Sequence, residues 1–252
     1  MVITGEHYSH APIIEALVEL RVVPDGGTTA DDLLKMMSDA EDYGTPESLV
    51  EMRGELQVLA NEVYASASGA HLGFRWRSTD GKLVVQARPD VFAFSQLAPY
   101  DRWECLLEQV EKMWLRYRAV VRPTAVVGAS VRFINQINIP SPRPVEVKDY
   151  LRLSVDVPPL LPQVMQAMYM QVAVPLPQHD GAVAHVISTL TGPPEGFHSS
   201  LILDINAAKA EMIDIDRPDF DDKILSVLST LRDAKNYVFE ACITDATRGL
   251  IR

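Results

Sequence analysis

Cysteine is scarce in this chain: Cys105 and Cys242 are the only two in 252 residues, far apart in sequence. That excludes a disulfide framework and points to a reducing compartment. Long apolar runs are missing as well, since no stretch approaches the roughly 18 apolar residues that span a bilayer. The start, Met1-Val-Ile-Thr-Gly-Glu-His7, has no basic segment leading into an apolar one, so the expectation is a cytoplasmic protein without membrane attachment. Positive charge is in short supply too: 23 Lys and Arg face 34 Asp and Glu, for a net charge of −11. A general nucleic-acid binder, whose affinity rests on cations at phosphates, is thereby disfavoured, and any steering favours a basic partner. Also lacking are a Gly-x-x-x-x-Gly-Lys phosphate loop, a dinucleotide fingerprint, a Gly-x-Ser-x-Gly elbow, and a His at useful spacing from either cysteine. No cofactor is expected on these grounds.

What is present reads as globular. Apolar residues make up 47% of the chain, enough to bury a substantial core. From Ile14 the apolar residues alternate, Ile14, Ala16, Val18, Leu20 and Val22 against Glu15, Glu19 and Arg21, which predicts a half-buried strand. Asp25-Gly26-Gly27 ends it, and Thr28 or Thr29 is placed to cap a short helix carrying Leu33, Leu34, Met36 and Met37. From Glu41 to Gly69 the periodicity is mixed, and one strand or helix near Leu56-Val63 is expected. His71-Ser78 and Lys82-Arg88 form a hairpin about Thr79-Asp80-Gly81, followed by a strand over Val91-Leu97. Pro99 then opens a helix, where its missing N–H is harmless, and Trp103, Leu106, Leu107, Val110, Met113, Trp114 and Tyr117 make its apolar stripe.

After Pro123 the order begins again. Ala125–Ile139 reads as a strand, Val145-Leu151 as a short helix, and Val164-Leu176, Ala182-Thr191 and Ser200-Asn206 as three strands. The last helix runs from Pro218 to about Cys242, with Asp216 near its cap. Pro99-Tyr-Asp-Arg-Trp-Glu and Pro218-Asp-Phe-Asp-Asp-Lys are similar helix entries. The expected fold is therefore α+β: two similar halves, 1–122 and 123–252, each β-α-β-β-β-α. They pack as one unit of antiparallel sheet, or two abutting sheets, covered by long amphipathic helices. Internal duplication accounts for this, and chance likeness of two β-then-α halves competes with it.

A family resemblance runs over nearly the whole chain. It is carried by Pro12-Ile-Ile-Glu15, Gly73-Phe-Arg75, Phe92, Ser95, Pro99-Tyr100, Trp103 and Trp114. In the second half it continues through Val131-Arg-Phe-Ile-Asn135, Asp149-Tyr-Leu, Leu203-Asp204-Ile205, Asn236-Tyr-Val-Phe239 and Ile243-Thr-Asp245. On these residues the chain resembles a sporadically distributed family of prokaryotic proteins of about the same length with no established activity. The resemblance implies no catalytic residues to carry over. The family's patchy distribution implies cargo of mobile or defence loci, such as a toxin-neutralising or immune-accessory protein.

Chemistry-bearing residues are dispersed. His7 and His10 are a loose pair, and the acids from Asp214 to Asp222 fit a helix N-terminus better than a calcium loop, so no metal site is expected. Arg75 and Arg77 share a strand face with Lys82 and Arg88 nearby, a patch for a phosphate or carboxylate unless the abundant acids pair with it. Arg132, Gln136 and Asn138 line one face of an otherwise apolar strand, with Asn135 on the other. Such groups need partners. A buried polar network of Glu15, Arg132 and Asp204 joining the halves supplies them, or a ligand pocket at the junction using Arg75, Arg132 and Asn135. Three function classes follow: a non-catalytic interaction protein, favoured; a binder of a small anionic ligand; and an enzyme relying on dispersed Glu15, Arg132 and Asp204. Helices rich in Trp and Met, and the segment Val164-Met170, leave apolar surface for a homodimer.

Overall fold

The computed structural model describes residues 8–59, 62–140, 145–162 and 165–252, with the side chains of all of these except 52–59 and 62–68. Nine strands form one antiparallel sheet in the order β2-β3-β4-β5-β1-β6-β9-β8-β7. Their ranges are β1 Ile13–Val23, β2 Glu47–Leu59, β3 Glu62–Arg77, β4 Leu83–Arg88, β5 Val91–Leu97, β6 Ala125–Ile139, β7 Tyr169–Leu176, β8 Ala182–Thr191 and β9 Ser199–Asp214. The helices are α1 Trp103–Val121, α2 Val147–Tyr150, α3 Phe220–Cys242 and α4 Asp245–Ile251, with a 3-10 turn over Asp31–Met37. The protein is thus mixed α+β, and the strands among the described residues make a single sheet, not two.

Alternation decides the faces. In β1 the residues Ala16, Val18, Leu20 and Val22 are buried, and they stand in register with Phe94 and Phe92 of β5 on one side and Phe133, Val131 and Ala129 of β6 on the other. This face takes the helices: Phe92 contacts Trp114 and Tyr117 of α1, and Lys235 of α3 lies over Phe133. α3 packs on β6, β8 and β9, and α1 on β5 and the 3-10 turn. Burial of large apolar side chains at about 25 cal/mol per Å² is the main stabilising contribution here.

The β1–β6 ladder, from Ile13 opposite Asn135 to Val23 opposite Ala125, lies in the interior of the sheet. On one side of it stand β5, which leads into α1, then β4 and β3. On the other stand β9, which leads into α3, then β8 and β7.

Several boundaries differ from the sequence expectation. α1 begins at Trp103, four residues after Pro99, because Arg102 is extended at φ −152° and Asp101 instead reaches Cys105, whose thiol donates to it at 3.4 Å. α3 begins at Phe220, with Asp219, not Asp216, at its cap position. The Asp219 carboxylate makes no capping bond because Arg217 takes both its oxygens, at 2.6 and 2.8 Å. β2 and β3 form a long ribbon where one short element was expected, residues 60 and 61 of that stretch lying outside the described residues. α4, which the periodicity did not announce, starts where the Thr244 hydroxyl accepts from Thr247 N–H.

Candidate functional site

The face of the sheet opposite Phe92 and Phe133 is built from the alternate residues of the same strands. β1 contributes Glu15, Leu17, Glu19 and Arg21; β6 contributes Ser130, Arg132, Ile134, Gln136 and Asn138; β9 contributes Ser200, Ile202, Asp204 and Asn206; β5 contributes Ser95. Leu17 stands opposite Arg132, and Arg132 opposite Asn206, so Asp204 is the diagonal neighbour of Arg132 on the same face. The guanidinium grips it with two bonds, Nε to Oδ1 at 2.8 Å and a terminal nitrogen to Oδ2 at 2.5 Å. This is the bidentate geometry that Arg, unlike Lys, supplies. The hydrogen bonds that Arg132 donates to Asp204, together with the charges of Asp204, Glu15 and Glu19, hold the guanidinium above its ordinary value against the opposing effect of burial.

The pair is lopsided in exposure: the Arg132 side chain is 40% accessible and that of Asp204 9%. The Arg132 side chain therefore stays accessible while its carboxylate partner does not. A second chain of bonds runs beside it, from Gln136 Nε2 to Ser200 Oγ at 3.1 Å and from Ser200 Oγ to Asn138 Oδ1 at 2.8 Å. Two buried atoms of the same face, Ser95 Oγ and Asn206 Oδ1, have no hydrogen-bond partner among the described residues. They lie in the same cross-strand row as Arg132, with Asn206 next to it and Ser95 beyond Leu17. Leaving a buried polar atom unpaired costs about 1–3 kcal/mol, so each marks a place where a partner group is accepted or missing.

Sequence candidates are partly united and partly dispersed. Glu15, Arg132 and Asp204 come together on this face. Arg75 and Arg77 do not join them: β4, β5 and β1 separate β3 from β6, about 19 Å at the usual strand spacing. Arg75 is paired with Glu47, holding that carboxyl below its ordinary value, while Arg77 donates to the Gly81 carbonyl at 3.2 Å and Arg88 to Asp90. Asn135 faces the core, donating to the carbonyls of Leu203 at 2.9 Å and Phe133 at 3.3 Å. An anion pocket combining Arg75, Arg132 and Asn135 is therefore not assembled.

Elsewhere, His7 lies outside the described residues, and His10 Nδ1 is 2.9 Å from both Ser9 Oγ and the Arg252 carbonyl. Among the described residues no three His, Cys, Asp or Glu side chains gather as a metal site, and no helix is long and apolar enough to cross a membrane. Both cysteines are free, and burial pushes the Cys242 thiol up to about 11. A hollow of about 270 Å³ bounded by Asp39–Tyr43, Lys112, Met113 and Arg116 lies away from the Arg132 face.

Sequence reasoning missed Lys235. Its amine sits 3.7 Å from the centre of the Phe133 ring and donates to Asn236 Oδ1 at 2.5 Å, and desolvation pushes it down to about 7. The signal was its position on the apolar stripe of α3, between Leu231 and Val238. No model of a known protein family matches this chain, and no curated protein matches it either.

Proposed function

We propose that this chain is a non-catalytic interaction protein that binds a basic protein partner through the polar face of its sheet, and that it acts as a homodimer. The observation that carries the reading is the row Ser95-Leu17-Arg132-Asn206. It places a half-exposed guanidinium between two buried polar atoms that lack partners, on a broad face where apolar Leu17, Ile134 and Ile202 stand beside Glu15 and Glu19. Apolar residues ringed by charge are the composition of a protein-recognition surface. The net charge of −11 favours a basic partner through steering. In this reading the family resemblance makes the chain a partner-neutralising or defence-locus accessory protein.

The architecture we propose behind this face is an internal duplication. The strand order on the two sides of the β1–β6 ladder supports it, with β1 and β6, β5 and β9, β4 and β8, and β3 and β7 as counterparts, α1 and α3 covering the same face, and β2 an addition to the first half.

The test is affinity purification from the native host followed by native mass spectrometry, with the wild-type chain, Glu19→Arg and Ile134→Arg. A stoichiometric second protein is expected with wild type and lost with both variants, their melting curves remaining cooperative. A small molecule retained in place of a protein, or a second protein that both variants retain, would overturn the reading.

A further inference from the structure

The two edges of the sheet are unlike. β2, at one edge, carries Glu47 and Glu51, the kind of charge that ordinarily keeps an open edge from pairing. β7, at the other, reads Tyr-Met-Gln-Val-Ala-Val-Pro-Leu and carries none. The absence extends beyond the strand: from Val157 to His179 there is no Asp, Glu, Lys or Arg, in a chain that is 23% charged. Tyr169 is 64% exposed and Leu160, in the segment leading to the strand, 99%.

Backbone parity shows which groups the edge offers. Leu190 N–H donates to the Met168 carbonyl at 3.1 Å, and β7 pairs with β8 without a bulge, so Met168, Met170, Val172, Val174 and Leu176 direct their backbone groups toward β8. Tyr169, Gln171, Ala173 and Pro175 direct theirs away from the sheet. The N–H groups of the first three and all four carbonyls have no partner among the described residues. Pro175 has no N–H, which fits its outward position and restricts what can pair there.

We infer that β7 pairs antiparallel with β7 of a second copy of this chain, with Gln171 on the two-fold axis. The inference gives the proposed homodimer its surface and rests on that reading of self-association. A second copy is the occupant for two reasons. Two chains of charge −11 repel except where both are uncharged, and residues 157–179 are the longest such stretch. An antiparallel strand edge is also complementary to itself under a two-fold axis.

Pro175 disfavours one of the two neighbouring registers. Opposing Gln171 to Gln171 sets Tyr169 against Ala173 in both directions and uses every outward N–H and carbonyl of these three residues. Sliding by two residues so that Gln171 opposes Ala173 sets Tyr169 against Pro175 and leaves the Tyr169 carbonyl without a donor, whereas the Gln171–Gln171 register leaves no group of these three residues unpaired. The result is one sheet continuous through both chains.

The test is light-scattering mass at micromolar concentration for the wild type, Gln171→Lys and Ala173→Pro. Both positions lie on the free side of the strand, so neither variant removes a bond to β8. A mass near twice the 28.0 kDa of the chain is expected for wild type, and the mass of one chain for both variants. In a background with Cys105 and Cys242 replaced by Ser, Gln171→Cys is expected to oxidise to an interchain disulfide. Ala173→Cys is not, because two copies of residue 173 would lie about 13 Å apart. A wild-type mass of one chain overturns both the edge and the homodimer. A dimer that persists in both variants overturns the edge and leaves self-association standing. Equal cross-linking at 171 and 173 overturns the register.

Discussion

An ammonium group desolvated against an aromatic ring without a counter-ion loses part of its hunger for a proton, and Lys235 is in that position. Of the charged groups that bear on it, Arg232 repels it and Asp233 and Glu240 attract it, all from α3, while β6 sets the Phe133 ring against it. Its folded value of about 7 lies below the ordinary 10.5, so between those two the unfolded chain binds a proton that the folded chain does not. Stability therefore rises with pH across this window, by about 1.4 kcal/mol per unit, and is lost as pH falls through about 7. Lys235→Met is expected to melt higher than wild type near neutrality and to lose that slope, which thermal melts at successive pH values read directly. Equal slopes in the two proteins would show that Lys235 is protonated in the fold. Glu240 poses the opposite problem, a buried carboxylate that is well supplied: Tyr8 donates to it at 2.8 Å and Arg248 at 3.1 Å. Arg248→Met strands it and is expected to cost about 3 kcal/mol in denaturant unfolding. The pair Glu240→Gln with Arg248→Met should cost less than Arg248→Met alone, because no unpaired charge stays buried.

Within the elements, Gly73 is the position that the sheet cannot vary. It lies where β3 passes from pairing with β4 to the β2–β3 ribbon, beside the bulge between Leu49 and Val50. A Cβ there would stand 2.0 Å from the Ala87 carbonyl oxygen, a backbone atom that cannot step aside. Gly73→Ala is therefore expected to cost about 3 kcal/mol or more by forcing β3 and β4 apart, seen as a lowered melting temperature, whereas Gly81→Ala meets no atom and costs only the about 1–2 kcal/mol of holding an L-residue at φ +75°. Elements like β1 and β6 were legible because strict alternation survives burial on one side. α1 and α3 were legible in body but not at their ends, because Asp101, Arg102, Arg217 and Asp219 spend their side chains on each other and on Cys105. α4 was illegible: seven residues with Gly249 inside carry too short a stripe to register. At the polar face the pattern named Glu15, Arg132 and Asp204 but not Ser95 or Asn206, since alternation assigns a face and says nothing of whether an atom finds a partner there.

At the scale of the whole molecule, the sheet joins residues 1–122 and 123–252 through one internal ladder, β1 to β6, and not through a linker between separate cores. Severing the chain in the Arg122-Pro123-Thr124 turn breaks no strand, but each piece alone would expose the full length of β1 or β6 together with Ala16, Val18 and Leu20 or Val131 and Phe133. A long apolar edge of that kind aggregates. It would also uncover the contacts that cross between the long helices, where Arg232 lies over Trp103 and Arg118 over Phe220. The two pieces are therefore expected to be insoluble when expressed singly and to copurify in equal amounts when expressed together, because the ladder supplies each edge with the partner it lacks. Soluble, cooperatively melting single pieces would mean that each half closes its own core, and the proposed duplication would then describe two domains in contact instead of one sheet shared by both.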